Sequence, residues 1–65
     1  MKIIVNGEPR EVVADTLAEA LDALGLGEAK VATAVNEDFV PATLRGGHRL
    51  VEGDRVEIVA PRQGG

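Results

Sequence analysis

A short amphipathic helix near the middle of the chain limits the fold most. Thr16 precedes a run of apolar residues with helical spacing, and Glu19 lies three positions after it. This is the pattern of a capping box, in which each of the two side chains accepts a hydrogen bond from the other residue's backbone N–H. Gly25 is the expected terminator, because glycine adopts a left-handed conformation without strain. The predicted helix, residues 17–24, is too short to be stable alone, so its apolar side must pack on a sheet.

Short β-branched segments on both sides of the helix supply that sheet. Asn6-Gly7 after the first segment is a strong hairpin signal, and Pro61 ends the last segment because proline cannot continue a strand ladder. Residues 42–49 have no regular pattern and are expected to be irregular. The predicted strands cover residues 2–5, 10–13, 30–35, 39–40 and 55–59.

These elements predict an α+β architecture, with one helix packed on one face of a mixed sheet of four to five strands. The first and last strands must both bury apolar residues under the single helix, so they should lie side by side. The compact arrangement that satisfies this is the β-grasp, or ubiquitin-like, roll. We expect residues 1–61 to form this domain and residues 62–65 to form a flexible tail.

Composition argues against several classes of function. The chain has no cysteine and a single histidine, His48, so we expect no metal site, no thiol nucleophile and no bound cofactor. Acidic residues outnumber basic ones by 11 to 7 and only Phe39 is aromatic, which argues against nucleic acid as a partner. No apolar run approaches the ~20 residues of a membrane span, and the apolar run at the start of the sequence is too short for a signal peptide. A cytoplasmic protein that is not an enzyme by itself is therefore expected.

The sequence ends in Gly64-Gly65, after a predicted strand stop. A diglycine has nothing to bury, so this end is either a frayed terminus or a reactive one. In the second case the Gly65 carboxylate would enter a narrow active site of another enzyme, where a Cβ atom would clash. Near this end, alternation along the strands places Val59 and Ile4 on the side of the sheet away from the helix. We expect them to form an apolar docking patch.

The chain resembles the ThiS family of sulfur carriers in thiamine biosynthesis over its whole length. No single segment is specific alone, but their order and spacing together are. The segments that carry the resemblance are residues 1–8 (MKIIVNGE), 16–21 (TLAEAL), 34–36 (AVN), 39–41 (FVP), 50–59 (LVEGDRVEIV) and 63–65 (QGG).

This resemblance implies a chemistry for the tail. An E1-like adenylating enzyme of the ThiF type would use ATP to adenylate the Gly65 carboxylate. A sulfur donor with a cysteine persulfide would then replace AMP and leave a thiocarboxylate, and a thiazole synthase of the ThiG type would take the sulfur. Gly65 is then the reactive centre, Gly64 gives clearance, and Arg62 and Gln63 form a flexible arm.

Four alternatives remain open on the sequence. The small subunit of molybdopterin synthase and carriers in other sulfur pathways would use the same tail chemistry. A ubiquitin-like modifier would instead join its carboxylate to lysines of other proteins. A plain interaction module would leave the diglycine inert.

Overall fold

Five strands form one mixed sheet. In the computed structural model, which describes residues 1–60, the strands are β1 (Lys2–Val5), β2 (Glu8–Glu11), β3 (Ala32–Val35), β4 (Asp38–Val40) and β5 (Arg55–Val59). Their order across the sheet is β2-β1-β5-β3-β4. The pairing of β1 with β5 is parallel, and the other neighbours are antiparallel. The predicted neighbourhood of the first and last strands is confirmed, and with it the β-grasp roll.

Two hairpins, each closed by a two-residue turn, flank the central strand β5. Asn6 and Gly7 join β1 to β2 with φ of 50° and 84°, and Asn36 and Glu37 join β3 to β4 with φ of 51° and 75°. Positive φ at both central residues is typical of type I′ turns, whose twist matches that of the paired strands.

The second strand, predicted at residues 10–13, is present but begins and ends two residues earlier. The two-residue turn pairs Val5 with Glu8 directly, so β2 must begin at Glu8. Pro9 is accommodated because β2 is an edge strand. Val12, the residue after β2, exchanges backbone hydrogen bonds with Met1 at 2.9 and 2.7 Å, and its side chain is buried in the core.

The helix α1 (Leu17–Ala23) begins at the predicted residue and ends one residue before the predicted 24, and the signals predicted for its two ends are both present. At its start the Glu19 N–H donates to Thr16 Oγ1 at 3.2 Å, and the Thr16 N–H donates to Glu19 Oε1 at 3.2 Å. At its end Gly25 has a φ of 80°, and the Leu26 N–H donates to the Leu21 carbonyl at 2.8 Å. That bond reaches back over the left-handed glycine, as in a Schellman motif.

One core lies between α1 and the sheet. Alternate residues of the strands point into it and meet the apolar side of the helix. The buried apolar residues are Ile3, Val5, Val12, Leu17, Ala20, Leu21, Val35, Val40, Leu50 and Val56. Within residues 1–60, no helix reaches the length and apolarity that a membrane span requires.

Residues 42–49, expected to be irregular, contain a 3₁₀ helix over Ala42–Gly47. It begins after Pro41, whose carbonyl accepts a hydrogen bond from the Leu44 N–H at 2.9 Å. Arg45 ties this helix to β3, because its side chain donates to Thr33 Oγ1 at 2.9 Å and to the Val31 carbonyl. The strand predicted at residues 30–35 begins two residues later, at Ala32. Its pairing with β5 starts there, opposite Val59.

Candidate functional site

The face of the sheet opposite α1, here called the open face, carries the candidate site. Residues that alternate with the buried ones point to this side. Cross-strand register places Ala34 opposite both Phe39 and Glu57 and Ala32 opposite Val59. From β1 to β4 the open face includes Ile4 of β1, Arg55, Glu57 and Val59 of β5, Ala32 and Ala34 of β3, and Phe39 of β4.

An apolar hollow lies on the β3 side of the open face. Phe39 and Val59 are 69% and 62% exposed, and the small side chains of Ala32 and Ala34 lie between them. Together with Asn6, Thr33 and Glu57, these residues line a cavity of about 220 Å³. Two large exposed apolar side chains around a shallow floor are typical of a surface that receives another protein.

A second hollow lies on the β1 side of the same face and has a more charged lining. Ile4, half-buried, and Arg55 lie next to each other in register, and Gly7, Glu37, Val56 and Glu57 complete a cavity of about 190 Å³. Arg55 and Glu37 approach to 4.0 Å, and both side chains are exposed, so this pair contributes little to stability. The charges are therefore available to a partner.

Both hollows are smaller than the roughly 300–1,000 Å³ of pockets that bind drug-sized ligands. They have the size of single side chains, so a protein surface suits the open face better than a small molecule. Among residues 1–60, no three His, Asp or Glu side chains are placed to hold a metal ion.

The two docking residues predicted from the sequence lie on the predicted side of the sheet. Val59 lines the apolar hollow and Ile4 lines the charged one, so they share a face without forming one patch. Phe39, the more exposed of the two large apolar residues on the open face, was not among the candidates. Alternation along β4 could have found it, because a buried Val40 requires its neighbour Phe39 to point outward.

The predicted reactive tail follows β5 in the sequence. Arg62, Gln63, Gly64 and Gly65 lie outside the described residues, so their roles stay predictions. The structure nevertheless fixes where the chain leaves the sheet, because Val59 is the last residue of β5 and lines the apolar hollow. A partner that covers this hollow would lie beside the end of β5.

Comparisons with known proteins all point to one family. The model of the ThiS family matches residues 3–65. The chain is 39% identical over 61 residues to the sulfur carrier protein ThiS of Thermus thermophilus, which covers 94% of this chain and 95% of that protein. It is also 39% identical over 66 aligned positions to a thiazole synthase of Paramagnetospirillum magneticum; all of this chain is aligned, but it spans only 20% of that protein's length.

Solved structures agree with the sequence comparison. The crystal structure of the thiamine biosynthesis protein ThiS from Geobacter metallireducens matches with a TM-score of 0.82 at 29% identity, over 100% of both chains. A solution structure of a thiamine biosynthesis protein from the same organism matches with a TM-score of 0.77 at 28% identity, over 100% of this chain and 88% of that one. Sequence and fold therefore agree over the whole length, and this chain belongs to the ThiS family.

Proposed function

We propose that this chain is a sulfur carrier in thiamine biosynthesis and that the carboxylate of Gly65 carries the sulfur. The observation that carries the proposal is the family match, which runs through residue 65 and so includes both glycines. The name of the Thermus thermophilus relative, sulfur carrier protein ThiS, supports the same role. On this proposal the chain is a co-substrate of its partners, and ATP is bound by the activating enzyme.

The chemistry begins with activation, because a carboxylate is a poor electrophile. On an E1-like enzyme of the ThiF type, a carboxylate oxygen of Gly65 attacks the α-phosphorus of ATP, pyrophosphate leaves, and an acyl-adenylate forms. The outer sulfur of a cysteine persulfide then attacks the acyl carbon, AMP leaves, and an acyl disulfide results. A second thiol attacks the cysteine sulfur of that disulfide. The S–S bond breaks, the thiocarboxylate of Gly65 is released, and the two thiols remain as a disulfide.

The open face is the proposed docking surface for these partners. Its apolar hollow offers Phe39 and Val59 for burial, and its charged hollow offers Arg55, Glu37 and Glu57 for pairing and orientation. The match to a segment of a thiazole synthase supports thiazole synthase of the ThiG type as the acceptor of the sulfur. The net charge of −4 would speed association with a basic surface around the partner's active site.

Reconstitution tests the proposed function against its alternatives. The chain is incubated with a ThiF-type enzyme, ATP and a persulfide donor, and its intact mass is measured before and after addition of thiazole synthase. The proposal expects the exchange of one oxygen for sulfur, and loss of that sulfur as thiazole forms. A thiocarboxylate that thiazole synthase cannot use would indicate molybdopterin synthase or another sulfur pathway. Isopeptide adducts would indicate a protein modifier, and an unchanged mass would indicate an interaction module.

A further inference from the structure

The central strand β5 is held at both ends by asparagine side chains from the two type I′ turns. At its start, the Arg55 N–H donates to Asn36 Oδ1 at 3.0 Å, and Asn36 Nδ2 donates to Asp54 Oδ1 at 3.0 Å. Near its end, the Ile58 N–H donates to Asn6 Oδ1 at 2.8 Å, and Asn6 Nδ2 donates to the Ile58 carbonyl at 3.1 Å. Each asparagine is the first residue of its turn, with positive φ.

Asn6 continues the β1–β5 pairing beyond the point where β1 ends. The backbone ladder runs from the Ile4 N–H to the Asp54 carbonyl and from the Asn6 N–H to the Val56 carbonyl, both at 2.9 Å. The next backbone partner for Ile58 would have to come from a longer β1, but the chain turns back at Asn6 and Gly7. The carboxamide donates one hydrogen bond and accepts one, as the missing peptide groups would.

This contact lies close to where the chain leaves the sheet. Ile58 is two residues before Ala60, the last described residue, and β3 holds the other side of β5 through the pairing of Ala32 with Val59. Without Asn6, the end of β5 would be paired on one side only. The end of β5 would then adopt a wider range of directions, so Gly65 would reach the reacting geometry less often.

We infer that Asn6 is a positioning residue for the reaction at Gly65, because it fixes the point and direction in which β5 delivers the tail. The inference rests on the proposed function. Asn36 provides a matched control, since it makes the same kind of contact at the opposite end of β5. Its removal also deprives the buried carboxylate of Asp54 of a partner, so it should destabilise the fold at least as much.

The test compares Asn6→Gly with Asn36→Gly, because glycine tolerates the positive φ of both turns and lacks the carboxamide, and any loosening of the backbone is common to both variants. The measurements are kcat and KM for each full chain as substrate of a ThiF-type enzyme, by ATP–pyrophosphate exchange, together with hydrogen exchange of the Ile58 and Arg55 amides. We expect Asn6→Gly to lower kcat about tenfold with little change in KM, because misplacement of a reacting group affects the chemical step. Asn36→Gly should keep the original kcat. Exchange should accelerate at Ile58 in the first variant and at Arg55 in the second.

A conservative variant tests whether the contact with Ile58 is responsible for the effect of Asn6. Asn6→Asp keeps the acceptor for the Ile58 N–H but lacks the donor, so its kcat should lie between those of the original chain and Asn6→Gly. Equal losses of kcat in both glycine variants would reduce Asn6 to a structural role and overturn the inference. A raised KM with unchanged kcat would also overturn the inference, because it would show that Asn6 acts as a binding contact in the apolar hollow. If the unaltered chain is not adenylated, the proposed function fails, and the inference fails with it.

Discussion

Phe39 allows the docking surface to be tested without damage to the fold. Its side chain is 69% exposed and lies on the edge strand β4, opposite Ala34. Replacing it by threonine introduces a β-branched residue, which also suits a strand. Only one cross-strand contact is lost, so the free energy of unfolding should fall by less than about 1 kcal/mol. The variant should therefore fold with a nearly unchanged melting temperature.

The effect on partner binding should be much larger. An aromatic side chain presents roughly 200 Å² of surface, of which the exposed 69% would be buried by a docked partner. At about 25 cal/mol per Å² this area corresponds to roughly 3 kcal/mol. The ordering of side chains on binding reduces such a value, so about 2 kcal/mol is expected for Phe39→Thr. That loss raises Kd about 30-fold.

A titration of the activating enzyme with each variant, by isothermal calorimetry, measures this change. The control is Leu44→Gln, because Leu44 is also a large exposed apolar residue, 59% exposed, but lies in the 3₁₀ helix that packs against α1. Its Kd should stay within about twofold of the original. If Phe39→Thr binds as tightly as the original chain, or if Leu44→Gln loses as much affinity, the open face is not the docking surface.

Three further predictions concern stability and are checked by thermal and urea unfolding. Leu21→Ala should lower the free energy of unfolding by about 2–5 kcal/mol, because the side chain is buried between α1 and the sheet; an unchanged melting curve would contradict this. Asp54→Ala should cost about 1–3 kcal/mol, because Asp54 is 8% exposed and accepts from the Val51 N–H and from Asn36; a loss below about 0.5 kcal/mol would show that these bonds are replaced by water. Glu37→Gly should stabilise the fold by about 0.5–1 kcal/mol, since Glu37 has a φ of 75° and only glycine adopts it without strain; Glu37→Ala, which removes the charge and keeps the strain, should give no gain.

Local patterns in the sequence predicted the features that depend on neighbouring residues. The capping box of Thr16 and Glu19, the terminator Gly25 and the turn at Asn6 involve contacts within a few positions, so spacing alone indicates them. The same holds for the burial of Ile3 and the exposure of Val59, which follow from alternation within one strand.

Features that depend on distant parts of the chain were missed. The start of β2 at Glu8 was missed for a different reason: it is set locally by the two-residue turn at Asn6 and Gly7, but the apolar pattern suggested a later start. The carboxamide of Asn6 bonds to Ile58, 52 positions away, and no local period encodes such a pair. Arg45 likewise organises a 3₁₀ helix through contacts with Thr33 and Val31, which exist only after the sheet has formed.

The central claim is that the carboxylate of Gly65 carries the sulfur, and one comparison of intact masses tests it most directly. The full chain and a chain lacking Gly65 are each incubated with the activating enzyme, ATP and a persulfide donor. Deletion should leave the fold intact, but the new terminus stops about 3.5 Å short of the nucleotide, well beyond the tolerance of near-attack geometry. We expect the full chain to exchange one oxygen for sulfur and the shortened chain to keep its mass. Equal sulfur loading of both chains would contradict the claim.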